Sequence, residues 1–98
     1  MTNTLKCISP IDGSVYLERP VLSLDAARDV CARAKAAQGA WAARPLAERV
    51  QLVRDAIAEV GKTTDRMAQE LAHQMGRPVR YGGEFGGFAE RGNYMADI

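Results

Sequence analysis

Ala37–Val60, AQGAWAARPLAERVQLVRDAIAEV, decides the fold of this chain. Within it Leu46, Val50, Val53, Ile57 and Val60 recur at steps of four, three, four and three. Only an α-helix puts such a series on one face. Glu48, Arg49, Arg54, Asp55 and Glu59 fall mostly off that stripe and read as its solvated side. Pro45 suits the first turn, because the N–H that proline lacks would have no helical partner there. An earlier helix is expected to stop near Gly39 and Trp41, and the segments that follow read as helices packed alongside.

Working outward toward the N-terminus, Leu24, Ala27, Cys31, Ala34, Gln38 and Trp41 share a face. This predicts a helix over about 24–38, alanine-rich and suited to close packing. Ser23 is placed to cap it, with Asp25 near its positive end. Gly39 is expected to loosen its last turn. Before it, Leu5–Ser9 and Ser14–Arg19 read as two strands joined through Pro10-Ile11-Asp12-Gly13. Asp-Gly between apolar residues is a hairpin signal, since the turn needs a positive φ that glycine adopts at little cost. Pro20 closes the second strand because it cannot donate to a ladder. The hairpin is expected to span about 5–19.

Toward the C-terminus, Gly61 is the expected cap of the 46–60 helix, and Thr63 or Thr64 that of the next. Met67, Leu71 and Met75, with Ala68 and Ala72 beside them, predict a helix over 64–75 that stops at Gly76-Arg77-Pro78. Tyr81, Phe85, Phe88, Gly92 and Met95 continue a helical stripe and predict a last helix over 79–97. That stretch also holds Gly82, Gly83, Gly86, Gly87 and Gly92, which would cost an isolated helix roughly 4–5 kcal/mol against alanine. It therefore reads as a helix that forms only against a partner, with a glycine-rich loop as the alternative. Met95-Ala96-Asp97-Ile98 offers no cap or polar tail and reads as an interruption inside a helix.

The totals narrow the function classes. Ninety-eight residues, 47% hydrophobic and 26% charged, suit one small ordered unit or a piece of a larger one. Thirteen basic and twelve acidic residues are interspersed for a net charge of +1, so neither nucleic acid nor an anionic membrane is an expected partner. No apolar run approaches the ~20 residues of a membrane span, and the N-terminus lacks the pattern of a signal peptide. Two cysteines make no disulfide framework, and the expected setting is cytoplasmic with reduced thiols.

Candidate sites are few. Ala56–Thr63, AIAEVGKT, resembles a phosphate loop only if alanine replaces its first glycine, and a helix rather than a buried strand leads into it. Gly61 as a helix cap and Lys62 at the C-terminal dipole explain it better. The second glycine cluster does not match G-x-G-x-x-G and reads as a close-packing surface. Cys7 and Cys31 have no local group to activate a thiol and read as small packing residues. His73 lies off its helix stripe and reads as exposed. Trp41 reads as a buried anchor at the joint of two helices. The residues alone give no catalytic, cofactor-binding or metal-binding constellation.

The order of features resembles the opening of the aldehyde dehydrogenases. Ser9-Pro10-Ile11-Asp12-Gly13-Ser14-Val15-Tyr16 is similar to that family's N-P-x-T-G-E-V-I turn. Ser23 to Trp41 resembles its first helix with the closing A-F-x-x-W, and Arg44-Pro45-Leu46-Ala47-Glu48-Arg49 its P-x-x-E-R helix start. Gln74-Met75-Gly76-Arg77-Pro78 resembles E-x-G-K-P, and Tyr94 falls where the next helix often carries aromatics. Gln74 for glutamate, Arg77 for lysine and the glycine-rich last helix depart from the pattern. The resemblance implies a mainly α segment with a short β-hairpin, the N-terminal part of an α/β, Rossmann-like cofactor domain. It implies a parent enzyme that uses NAD or NADP to oxidise an aldehyde through a cysteine thioester, with a glutamate as general base. The residues that would do this are expected beyond Ile98. Cys7 and Cys31 do not match the nucleophile, and the segment by itself is expected to be inactive and without cofactor. Its partners would be the remainder of the enzyme or further copies in a homo-oligomer, through the apolar helix faces. The alternative from the residues is a stand-alone helical module for self-association or docking.

Overall fold

The computed structural model describes residues 3–98. Strands β1 (Thr4–Ile8) and β2 (Val15–Pro20) form an antiparallel hairpin. Helices α1 (Leu24–Ala43), α2 (Leu46–Gly61), α3 (Thr64–Met75) and α4 (Phe85–Asp97) follow, with a 3₁₀ turn at Val79–Tyr81 between the last two. The chain is thus mainly helical with an N-terminal hairpin.

The hairpin turn is built by Asp12 and Gly13. Asp12 Oδ1 accepts from the Ser14 N–H at 2.9 Å and from the Ser14 hydroxyl at 2.7 Å. Gly13 has φ +76°, and its N–H bonds the Ser9 carbonyl at 2.8 Å. The ladder pairs Cys7 with Leu17 but Ile8 with Val15, so Tyr16 is the extra residue of a bulge. The bulge re-aims Tyr16, whose ring stacks on His73 of α3 with centroids 4.9 Å apart and planes 5° apart. Cys7 Sγ donates to the Gln74 carbonyl at 3.8 Å beside it.

Ser23 caps α1, its Oγ accepting from the Ala26 N–H at 3.1 Å. The helix does not stop near Gly39 but continues through Trp41 to Ala43. One glycine costs a helix only about 1 kcal/mol against alanine. Proline is the stronger signal. The ring of Pro45 disfavours helical backbone at Arg44, which turns extended at φ −66° and ψ 144°. Pro45 itself is the N-cap of α2 rather than its first helical residue.

Gly61 is likewise not a cap. It is the last residue of α2, with Lys62 as cap. A Cβ at Gly61 would lie 2.8 Å from Cζ of Phe85, so its role is to admit that ring. Gly92 does the same from α4: a Cβ there would lie 2.6 Å from Cδ1 of Ile57. Ile57 and Ala68 are the buried hydrophobic residues of the core, each 6% exposed. Arg54 ties the far end of this seam to Asp97 at 2.5 Å and to Asn93 at 3.2 Å.

The last helix begins at Phe85, not at residue 79. α3 ends on Gly76 in the left-handed conformation, φ +77°. Gly82 then takes φ +69° and ψ −165°, a region other residues rarely enter. A Cβ at Gly83 would stand 3.3 Å from Cβ of Met67 and 3.6 Å from the Thr64 carbonyl oxygen. The helix and the glycine loop, expected as alternatives for 79–97, divide the segment between them: a loop over 82–84 and then a helix from Phe85. An ion pair between Arg77 and Glu84 closes the loop.

Two outcomes follow for stability. Gly92→Val should lower it by about 1–3 kcal/mol, because the added methyls enter occupied space against Ile57. Gly87→Ala, where nothing lies within 4 Å, should raise it by up to about 1 kcal/mol. Urea unfolding followed by circular dichroism compares them, and equal shifts of one sign would refute the packing argument.

The turn also has a pH signature. The Ser14 hydroxyl and then its N–H hold the Asp12 carboxyl below its ordinary value of 3.8, with a smaller push from His73. A lowered folded-state pKa adds stability above the unfolded value, and this is lost as pH falls through the folded one. A carboxyl NMR titration should therefore give Asp12 a midpoint below 3.8, and Ser14→Ala should move that midpoint upward.

Candidate functional site

α2 and α4 lie side by side, and the C-terminal end of α1 reaches the same face. Trp41, Arg49, Val50, Val53, Gly92, Met95 and Ala96 line a groove there of about 280 Å³. Its walls are almost wholly apolar. Arg49 is the charged side chain among them, and its Nε is engaged with the Arg44 carbonyl at 3.2 Å. Trp41 is 37% exposed, Val53 40% and Met95 61%. Trp41 is thus not a buried anchor between two helices but an open wall. The helix runs straight past it, so no joint closes over the ring.

The groove continues into a wider apolar surface. Four members of the α2 stripe, Leu46, Val50, Val53 and Val60, are not buried, and Ile57 alone is. α1 contributes no buried residue, and Leu24 and Val30 on it are exposed. Cys31, expected to pack, is exposed as well.

The chemistry-bearing residues do not converge. Cys7 lies half-buried at the hairpin, and Cys31 lies on α1. His73 is exposed on its edge, as its spacing suggested, but its ring stacks on Tyr16. No group of three or more His, Cys, Asp or Glu side chains that could hold a metal gathers among the described residues. Lys62 pairs with Glu59 at 2.5 Å at the end of α2, where the backbone N–H groups bond within the helix or to its last turn. Gly86 and Gly87 sit in the first turn of α4 with open space beside them, and no strand leads into them. A dinucleotide's phosphates need a glycine turn between strand and helix, so these residues do not fit that group. The feature that these elements do build together is the exposed, apolar groove between α2, α4 and the end of α1.

Of the groove residues, Trp41, Val50, Val53, Gly92 and Met95 are read from the sequence as members of three separate helix stripes, and Arg49 and Ala96 are not. That Trp41 and Met95 line one groove depends on the α2–α4 packing, whose signal in the sequence is the glycine at 92 that meets Ile57.

The aldehyde dehydrogenase family model matches residues 1–96. The chain is also 45% identical over 51 residues to an N-succinylglutamate 5-semialdehyde dehydrogenase from Novosphingobium aromaticivorans. That match takes in 52% of this chain and 11% of the relative. No solved structure matches.

The helix-end reading of Lys62 predicts that Lys62→Ala leaves nucleotide affinity unaltered. Isothermal titration of ATP should give no saturable heat for either form. A binding isotherm lost in the variant would restore the phosphate-loop reading.

Proposed function

The chain belongs to the aldehyde dehydrogenase family, and from this we propose that it is the opening segment of an NAD(P)-dependent enzyme that oxidises an aldehyde to a carboxylic acid. The supporting observation is the match over residues 1–96 together with a surface too large for the chain. The accessible area is 7833 Å², whereas a compact protein of this mass exposes only about 5,500 Å². The radius of gyration is 17.7 Å, against roughly 13 Å for a compact domain of about 100 residues. The surplus is about 2,300 Å², and the exposed surface includes the groove and the apolar residues of α1 and α2.

In this reading the segment is the opening part of the Rossmann-like cofactor domain, and its helices pack around the rest of that domain. Its work is to cover and position that domain, and the nucleophilic cysteine, the base and the cofactor contacts come from elsewhere. The segment alone is inactive and binds no NAD(P). The relative's name makes a semialdehyde bearing carboxylates the first substrate to try. Among the described residues no helix is long and apolar enough to cross a membrane; the complete enzyme is placed in the cytoplasm as part of this proposal.

A second reading has one observation in its favour. α1 is a 20-residue helix without a buried residue, so the isolated chain has a face on which copies of itself could pair as a homo-oligomer. The surplus surface exceeds the ~800 Å² per partner of a standard interface.

The test is a chimera in which these residues replace the corresponding opening segment of the Novosphingobium relative. It should retain aldehyde-dependent NAD(P)H formation, while the 98-residue chain alone shows none. Adding Val53→Glu and Met95→Glu should cut soluble, active chimera at least tenfold, because two charges would enter the apolar contact. Turnover by the chain alone, or a chimera indifferent to both charges, would overturn the proposal. Sedimentation of the isolated chain separates the second reading: a discrete dimer supports it and a monomer removes it.

A further inference from the structure

We draw no further inference here: the strongest candidate, the apolar groove between the end of α1, α2 and α4 lined by Trp41, Val53 and Met95, belongs to the surface already assigned to the rest of the enzyme, and nothing in the structure shows what else covers it.

Discussion

The fold depends on the close approach of α4 to α2. Two glycines, one on each helix, make it. Gly92 leaves room for the end of Ile57, and Gly61 leaves room for the Phe85 ring. Dispersion falls off over fractions of an ångström, so a seam this close gives contact energy that larger residues would forfeit by holding the helices apart. It also explains why a glycine-rich helix exists at all. The intrinsic loss of about 1 kcal/mol per glycine is offset only where the missing Cβ is replaced by a neighbour's side chain. That happens at Gly92, whereas Gly86 and Gly87 meet nothing. The Arg54 bridge to Asn93 and Asp97 then fixes the far end of the seam in register.

The hairpin is secured differently. Its own turn is local chemistry, with Asp12 satisfying Ser14 and Gly13 accepting a positive φ. Its docking on α3 rests on the Tyr16–His73 stack, the Cys7 thiol on the Gln74 carbonyl, and Pro10, whose Cγ would stand 3.2 Å from a Cβ at Gly76. Ser9, only 1% exposed, sits where turn and helix end meet. Gly76 therefore has two jobs: it caps α3 and it lets the hairpin come down on that cap.

Much of this was legible in the sequence, and the reason is that caps and turns are local. Ser23, Asp12-Gly13 and Gly76 each act within three or four residues, so their chemistry is visible in a short window. The misread glycines share one cause. Gly39, Gly61 and Gly82–Gly83 are the same residue type with different tasks. Gly39 tolerates a helix, Gly61 admits a ring, Gly82 turns the chain and Gly83 approaches a backbone. Only the neighbours, distant in sequence, tell them apart. Pro45 was the better punctuation for α1, because its effect on Arg44 is steric and does not depend on tertiary context.

The groove shows what periodicity does and does not encode. A stripe such as Leu46, Val50, Val53, Ile57 and Val60 states that one face of α2 is to be buried. It does not state by what. α4 covers the part of that face around Ile57 and leaves Leu46, Val53 and Val60 open. α1 carries the same message in alanine, and no residue of it is buried. A sequence under no pressure to bury these faces would place charges there, as it does on the opposite side at Arg28, Asp29 and Arg33. The pattern thus encodes more burial than the folded segment achieves. In the function proposed above that excess has a physical meaning: it is the apolar surface with which these helices would brace the rest of the enzyme.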